Sequence, residues 1–332
     1  MNIFFTFDYE LFFGSNTGTI DNCIIKPTNE LIKISDKYDV QFIFFVDSGY
    51  IIKLDEYKKI FPNLNDDYNK IVNQIKELKS KGHDIQLHIH PHWEDCKYDG
   101  QKWEMDTSRY RLHLFSRDEI NDIVYRYKKV LTDIVGENIF AFRAGGWCLQ
   151  PFVNIRDALK INNIWLDCTV FKGGLNESNT HYYDFRDAPD KETWRFENDP
   201  LVEVNNGFFK EISFSTYRVN PLFFWKYLFT RLLPNKSFKF FGDGQGAKFS
   251  KRYLIRLLTS FSNSIVSLDG FKSSFMEKSY QEHIKQNKNN FVVIGHPKGL
   301  NLYSITKLDS FIKKYSSNNS IISFKNYNNT QK

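Results

Sequence analysis

The chain has 332 residues, of which 41% are hydrophobic and 25% charged, and it carries a net charge of +6. This composition is that of a globular protein long enough to bury a substantial core. The mild basic excess forms no long block of like charge, which argues against a nucleic-acid-binding protein and leaves an anionic glycan or membrane surface open as a partner. No window holds about 18 consecutive apolar residues, so no segment is expected to cross a membrane.

Short β-rich runs follow one another along the chain. Several are apolar throughout, such as residues 42–46 and 292–294, which is typical of strands buried on both faces of a parallel sheet. The predicted strands are Ile3–Phe7, Gln41–Val46, Asp84–His90, Ile139–Phe142, Ile164–Val170, Leu201–Val204 and Phe291–Gly295.

Longer stretches with helical periodicity lie between these runs. Gly82 and Gly136 follow two of them as stop signals, and residues 116–119 form a capping box. Since strands and helices alternate, we expect parallel strands joined by right-handed crossovers, in a barrel or in a doubly wound sheet. The predicted helices are Thr28–Lys37, Asp66–Lys81, Ser116–Val135, Pro151–Asn162, Ser250–Phe261 and Ile305–Tyr315.

Two stretches interrupt the alternation. Residues 175–199 are polar and aromatic and are predicted to form a long loop. Residues 205–275 are expected to be a helical or loop insertion, and within them Pro221–Pro234 is too short to span a bilayer. For this segment we favour a helix packed on the rest of the protein or on a partner subunit, with an interfacial membrane helix as the alternative. The expected organisation is one domain over residues 1–316 and a flexible tail over residues 317–332.

Chemically competent side chains recur where the predicted strands end. Loops at the carboxyl ends of parallel strands converge on one edge, which is where ligands bind in α/β folds. Charged groups placed repeatedly at that edge are hard to explain by packing, so the sequence predicts a functional site there. The candidates are Asp8, Glu10, His88, His90, His92, Trp93, Arg143, Trp147, Asp167 and His296.

The densest cluster is the segment His88-Ile89-His90-Pro91-His92. Imidazole nitrogens suit zinc and neighbouring first-row ions, and a catalytic metal site typically has three protein ligands and one position for water. Pro91 cannot donate a sheet hydrogen bond, so the backbone is expected to turn there. Such a turn would let His88 and His92 converge on one ion while His90 points elsewhere.

Five short motifs, taken together and in order, resemble those of the NodB-homology polysaccharide deacetylases, the carbohydrate esterases that act on N-acetylated glycans. The motifs span residues 6–297 of this chain. The matching segments are Thr6-Phe7-Asp8-Tyr9-Glu10, His88 with His92, Arg143 to Trp147, Trp165 to Thr169, and His296.

The resemblance implies a distorted (β/α) barrel, typically of seven parallel strands, and one divalent metal ion bound by an Asp and two His. Carried over to this chain, the ligands are Asp8, His88 and His92, with zinc expected and cobalt, manganese, nickel or iron as alternatives. His296 is then the general acid that protonates the departing amine, and Arg143 tethers the catalytic carboxylate. The side chains assigned to the substrate are His90, Trp93, Trp147 and Asp167.

The first motif departs from the family pattern. The family has two adjacent Asp residues, a base followed by a metal ligand, whereas Tyr9 occupies the second place here. Relatives with Asp-x-Glu are similar to this chain. Asp8 is therefore assigned to the metal and Glu10 to the base, with Asp8 as the base held as the alternative.

The resemblance implies a metal-dependent hydrolase that removes an N-acetyl group from a sugar or glycan intermediate in surface polysaccharide biosynthesis. The sequence begins without the pattern of a signal peptide, so we expect a cytoplasmic protein acting on sugar nucleotides or lipid-linked glycans. If Pro221–Pro234 contacts lipid, the protein would lie at the inner face of the membrane. Two alternatives stay open: a hydrolase of cyclic amides or ureides, similar to allantoinases, and a catalytically inactive glycan-binding or assembly protein.

Overall fold

The computed structural model describes residues 1–178, 180–232, 235–246 and 251–330. The strands are β1 (Asn2–Tyr9), β2 (Ile43–Asp47), β3 (Asp84–Ile89), β4 (Lys97–Tyr98), β5 (Trp103–Glu104), β6 (Ala141–Ala144), β7 (Leu166–Asp167), β8 (Leu175–Glu177), β9 (Tyr182–Asp184), β10 (Thr193–Phe196), β11 (Phe209–Ile212), β12 (Thr216–Val219), β13 (Ser262–Ile265), β14 (Asn290–Gly295) and β15 (Ser320–Ile321). The helices are α1 (Lys26–Tyr38), α2 (Ser48–Tyr57), α3 (Leu64–Ser80), α4 (Arg117–Val135), α5 (Val153–Ile161), α6 (Pro221–Leu232), α7 (Lys251–Thr259), α8 (Met276–Lys285), α9 (Leu302–Tyr315) and α10 (Phe324–Thr330).

The chain divides into two compact units. Residues 1–43 and 214–332 form one, which we call the terminal unit, and residues 44–213 form the other, the central unit. The single domain over residues 1–316 that the sequence analysis expects stays a prediction.

In the terminal unit, β1 is the buried centre of a parallel arrangement. It pairs in parallel with β14, in a register that sets Phe7 opposite Gly295, and with the short strand β15. Phe5 packs edge-on against Phe311 of α9, with ring centroids 5.9 Å apart. The strand is buried from Ile3 to Tyr9, as expected for a strand covered on both faces of a parallel sheet.

In the central unit the strand order is β10-β11-β7-β6-β3-β2. The pairs β3/β6, β6/β7 and β7/β11 are parallel, and β10 is antiparallel to β11. Helix α4 opens with the predicted capping box at Ser116 and Glu119 and ends at Gly136, whose positive φ of 67° favours glycine. The predicted alternation of parallel strands and helices is confirmed.

Two predictions about the connections were wrong. Residues 201–204, predicted as a strand, form a turn whose Leu201 N–H donates to the Asp199 side chain. The strand at this point is β11, and Phe209 stacks on Phe196 of β10 at 5.3 Å. The predicted long loop 175–199 contains β8, β9 and β10. The polar composition of residues 175–199 suggested a loop, but packing of aromatic side chains such as Phe196 on Phe209 favours strands there.

The predicted insertion contains the two helices expected in it and also the strands β11, β12 and β13, and the predicted tail is more ordered than expected. Strands β12 and β13 pair antiparallel, and helices α6 and α7 lie in the connection between them. Pro234 and Ser250, which bound two predicted helices, lie outside the described residues. The predicted flexible tail instead contains β15 and α10, because Phe324 is fully buried and its ring lies 5.4 Å from that of Phe4. Within the described part of the chain, no helix is both long and apolar enough to cross a membrane.

Candidate active site

The register of β1 and β14 brings two predicted catalytic residues together in the terminal unit. Phe7 pairs with Gly295, and the next residues along these parallel strands are Asp8 and His296. The Nε2 atom of His296 lies 3.5 Å from Oδ2 of Asp8. Neighbouring carboxyl ends of parallel strands thus place an acid and an imidazole side by side, as the sequence predicted.

Asp269 holds His296 through two contacts. Its Oδ1 accepts a hydrogen bond from the His296 backbone N–H at 2.9 Å, and its Oδ2 lies 2.8 Å from Nδ1 of the ring. A carboxylate only accepts, so Nδ1 carries a proton and Nε2 is the atom turned toward Asp8. The sequence analysis missed Asp269.

A signal for Asp269 was nevertheless present in the sequence. It follows the apolar run Ile265-Val266-Ser267-Leu268, the same pattern of a strand followed by a polar residue that marked the other candidates. In the structure this run lies beside β14, with Leu268 N–H donating to the Ile294 carbonyl and Ile294 N–H donating to Val266. Asp269 therefore emerges at the same edge as His296.

Asp8 and Glu10 both approach Nε2 of His296. Glu10 Oε1 lies 3.9 Å from Nε2, compared with 3.5 Å for Asp8 Oδ2. Side chains alternate along a strand, so residues 8 and 10 share one side and Tyr9 takes the other. Tyr9 is buried, and burial raises its pKa well above the ordinary value, so it stays neutral. The two carboxylates of an Asp-x-Glu motif can thus lie on the same side of the strand, whereas the carboxylates of two adjacent residues would point to opposite sides.

The surroundings of His296 favour its protonated form. Burial alone would lower the pKa of this imidazole, but the charge and hydrogen bond of Asp269, assisted by Asp8, outweigh it and raise the pKa to about 10. Burial would likewise raise the pKa of Asp269, and the His296 charge instead lowers it. His296 is therefore a proton donor at neutral pH.

Lys298 is a second residue that the sequence analysis did not assign. Its Nζ donates to Oε1 of Glu10 at 2.8 Å and to the Leu11 carbonyl, and the side chain is only 10% exposed. The ammonium also lies 5.0 Å and 4.8 Å from the ring centroids of Phe12 and Phe13. This buried ion pair stabilises the carboxylate form of Glu10 and restricts its position.

The histidine cluster lies in the central unit, where β3 ends. His88 Nδ1 is 2.9 Å from the Arg143 carbonyl, and a carbonyl only accepts, so Nδ1 carries the proton and Nε2 has a lone pair. His90 Nε2 lies 3.1 Å from His88 Nε2. A Cβ on Gly145 would lie 2.6 Å from His90 Nδ1, so only glycine leaves room for this ring. The structure thus brings His88 together with His90.

This pair suits a metal ion. Two nitrogens bound to one zinc at its usual bond length in tetrahedral geometry are about 3.4 Å apart, close to the 3.1 Å observed. A histidine that donates its other ring N–H to a backbone carbonyl is the usual arrangement of a metal ligand. The nitrogen donors present therefore fit zinc or a neighbouring first-row ion.

His92 and Trp93 have different surroundings. His92 is stacked on Tyr110, with ring centroids 5.0 Å apart, and Trp93 is fully buried beside Tyr50. The Trp93 indole N–H donates to Asp47 at 2.6 Å. The substrate contact of Trp93 stays a prediction, and the side chain is fully buried. The assignment of His92 as a metal ligand stays a prediction.

Arg143 and Asp167 are buried behind the strand ends. The Arg143 guanidinium donates to the Cys168 carbonyl at 2.8 Å and lies 4.0 Å from the Phe45 ring centroid. Its predicted tether to the catalytic carboxylate is not tested by these contacts. Asp167 accepts from the Thr169 hydroxyl at 2.6 Å and is 2% exposed, which leaves little surface for its predicted substrate contact.

Glu211 forms a buried carboxyl pair with Asp167 and was also missed by the sequence analysis. Its Oε1 accepts from the backbone N–H groups of Thr169 and Val170 at 3.2 Å and 3.0 Å. Burial first, and then the negative charge of Asp167, raise the pKa of Glu211 well above 4.5. Burial also raises the pKa of Asp167. Burial therefore favours the protonated form of the pair, and we place that proton on Glu211.

Trp147 retains the exposure that a substrate contact requires. Its side chain is half-buried, and its ring lies 5.4 Å from that of Phe171 and 5.7 Å from that of Tyr183. Both contacts are of the edge type, with interplanar angles of 70° and 79°. The predicted role of Trp147 in lining a sugar groove stays a prediction that this position permits.

The sequence matches no family model and no curated protein. Among solved structures, a proposed polysaccharide deacetylase from Mycobacterium smegmatis matches with a TM-score of 0.50 at 14% identity, over 98% of this chain and 88% of that one. A CE4 family pseudoenzyme from Bacillus anthracis matches with a TM-score of 0.42 at 9% identity, over 96% and 62%. A peptidoglycan deacetylase from Bacillus subtilis matches with a TM-score of 0.38 at 11% identity, over 99% and 90%. The first likeness confirms the predicted NodB-like α/β fold.

Proposed function

We propose that this protein is a metal-dependent hydrolase that removes an N-acetyl group from a sugar or glycan intermediate during surface polysaccharide biosynthesis. The observation that carries the proposal is the arrangement around His296. Asp269 holds one ring nitrogen, and the carboxylates of Asp8 and Glu10 lie near the other. Amide hydrolysis needs both a base for water and an acid for the departing nitrogen, and these side chains offer both within one unit.

His296 is proposed as the acid. Asp269 fixes the Nδ1 proton, so Nε2 is the atom that delivers a proton to the departing amine. A pKa raised to about 10 keeps that proton in place at neutral pH until nitrogen accepts it. Asp269 is then a positioning residue, because it acts through the imidazole and not on the substrate.

The contacts of Lys298 favour one assignment of the two carboxylates. The ammonium at 2.8 Å stabilises Glu10 as an anion, which suits a metal ligand better than a proton acceptor. Asp8 is then the base that takes a proton from water. This is the alternative that the sequence analysis held for Asp8, and it replaces the assignment of Asp8 to the metal.

For the imidazole ligands we propose His88 and His90 in place of His88 and His92, since the Nε2 atoms of the first pair lie 3.1 Å apart. Zinc is the first candidate, and cobalt, manganese, nickel and iron suit the same donors. The bound ion would polarise the acetyl carbonyl and lower the pKa of a bound water. Arg143, buried beside Cys168, is proposed to orient the catalytic carboxylate.

Acetate release by the zinc-loaded full chain tests the proposal. The substrates are an N-acetylated sugar nucleotide, an N-acetylated oligosaccharide and a lipid-linked N-acetyl sugar. His296→Ala is expected to lower kcat by about 10²- to 10⁴-fold, the usual contribution of a positioned acid. His113→Ala, a half-buried histidine outside the site, is the matched control and should leave kcat unchanged. Undiminished acetate release by His296→Ala would contradict the mechanism.

The two carboxylates can be separated by measuring metal content and turnover in the same preparations. Glu10→Gln should lose zinc, whereas Asp8→Asn should keep zinc and lose turnover. The reverse outcome would restore the assignment of Asp8 to the metal.

The binding-only alternative draws on one observation. Tyr9 is buried and neutral, so the second carboxylate of the usual family motif has no equivalent at that position. Glycan affinity without acetate release at any metal loading would favour this alternative. Ring opening or ammonia release from a cyclic amide or ureide would favour the allantoinase-like alternative instead.

A further inference from the structure

Helices α6 and α7 contact each other, and α6 is attached to the terminal unit through buried aromatic side chains. Phe223 and Phe224 of α6 are buried, and Phe223 lies 4.5 Å from the ring of Phe275. The indole N–H of Trp225 donates to the Leu258 carbonyl of α7 at 3.1 Å, which links the two helices. The buried side chains of α6 therefore account for the attachment of the two helices to the unit. They do not account for the apolar side chains on the opposite face of α6.

The opposite face is rich in exposed large apolar side chains. On α6 they recur at steps of three or four residues, so they share one side of the helix. Phe229 is 59% exposed and Leu232 is 71% exposed, and Ile255 of α7 is 61% exposed. We call this set the α6–α7 apolar face, and its members are Leu222, Trp225, Leu228, Phe229 and Leu232 of α6 and Leu254 and Ile255 of α7. A cluster of this size on a protein surface marks an interaction site.

The same part of the chain is strongly basic. Between Glu211 and Asp269 the sequence has nine Lys or Arg residues and one acidic residue, Asp243, although the whole chain has a net charge of only +6. Asp243 accepts hydrogen bonds from Thr19 and Asn22. The exposed basic side chains on and beside the two helices are Lys226, Arg231, Lys236, Lys239, Lys251 and Arg256.

We propose that the α6–α7 apolar face docks on an anionic lipid bilayer, with its apolar side chains in the interfacial region and its basic side chains at the phosphates. An interfacial helix needs both features, an apolar face that enters the headgroup boundary and Lys or Arg that pair with anionic lipids. Over the described residues α6 has 12 residues and α7 has nine, which is too short to span a bilayer, so the proposal has each helix lying along the surface. This inference does not depend on the proposed function, because it concerns a different surface.

A second copy of this chain fits the face less well than a bilayer does. In a symmetric dimer the same patch meets itself, so the basic residues beside the apolar side chains would face one another. Like charges brought together at an interface are repulsive. An anionic surface satisfies the apolar and the basic side chains together.

Co-sedimentation of the full chain with vesicles tests this proposal. Vesicles of phosphatidylcholine with phosphatidylglycerol should bind the chain, and vesicles of phosphatidylcholine alone should bind it far more weakly. Lys226→Gln combined with Lys251→Gln should weaken binding roughly 25-fold, since each cation near an anionic surface contributes about a fivefold factor. Phe229→Ser should weaken binding at every salt concentration, whereas raised salt should reduce the effect of the lysine variants.

The matched control is Ile161→Ser, which removes an apolar side chain that is 74% exposed on α5. It should bind vesicles as the wild type does. Equal binding to both kinds of vesicle, or no binding to either, would overturn the proposal. Sedimentation as a dimer that Phe229→Ser converts to a monomer, without vesicle binding, would assign the face to self-association. Acetate release is not used as a readout, so failure here and failure of the proposed function can be told apart.

Discussion

The buried pair of Asp167 and Glu211 predicts that Glu211→Gln becomes more stable than the wild type as the pH rises. The wild type loses unfolding free energy over this range, and the variant does not. Glu211 is fully buried, and its pKa is raised well above 4.5 by burial and by Asp167. The folded chain thus keeps a proton that the unfolded chain releases above pH 4.5. Stability from this group is fully present below the unfolded pKa and is lost as the pH rises toward the folded pKa.

The magnitude follows from the linkage of one proton. For every pH unit between the two pKa values the wild type loses about 1.4 kcal/mol of unfolding free energy through this group. The glutamine variant has no such proton to lose. In the wild type the backbone nitrogens of Thr169 and Val170 lie 3.2 Å and 3.0 Å from Oε1 of Glu211. The side-chain oxygen of glutamine can accept the same two hydrogen bonds, and its amide nitrogen can donate to Asp167. Near pH 4.5 the two proteins should therefore have similar stability, and the variant should gain above it.

Urea denaturation at several pH values between about 5 and 8 measures the effect through the pH slope of the unfolding free energy. Glu104→Gln is the control, because Glu104 is an exposed glutamate of the same unit. Its slope should equal that of the wild type. Parallel slopes for the wild type and Glu211→Gln would refute the reasoning and show that the pair holds no proton in the folded state.

Three further outcomes are expected. Asp269→Asn should lower kcat by about 10²-fold or more with little change in KM, because the imidazole loses its partner at Nδ1 and not its contact with substrate; a change confined to KM would contradict this. Elemental analysis should find about one zinc per chain in the wild type and in His92→Ala, and much less in His90→Ala. Zinc loss in His92→Ala but not in His90→Ala would support the sequence-based assignment of His92 as a ligand. Lys298→Met should destabilise the metal-free protein by about 3 kcal/mol, since it leaves the Glu10 carboxylate buried without its cation; unchanged thermal unfolding would show that the ion pair contributes nothing.

The sequence alone identified most elements that carry the site. Periodicity and apolar runs are local properties, so β1, β3, β6 and β14 and the helices α3, α4 and α9 were found within a few residues of their bounds. The polar residues after these strands were identified for the same reason. The NodB-like fold then followed from the order of the motifs, and the likeness among solved structures confirms it.

Connections were predicted less well because their structure depends on partners far away in the chain. The strand β11 was assigned to residues 201–204 and not to residues 209–212, since both stretches contain apolar side chains and only pairing with β7 distinguishes them. The tail was taken to be flexible from its composition. Two aromatic side chains, Phe324 and Tyr327, hold α10 against Phe4 across more than 300 residues of sequence.

The sequence by itself determined which residue types stand at the strand ends: the carboxylates at positions 8 and 10, the histidine cluster and His296. Only the tertiary structure decided which of them have which partners. Asp269 and Lys298 became visible as the partners of His296 and Glu10, and His90 replaced His92 beside His88. The physical reason is that hydrogen bonds, charge pairs and ligand distances act over a few ångströms through space, and no local pattern records which distant side chains meet.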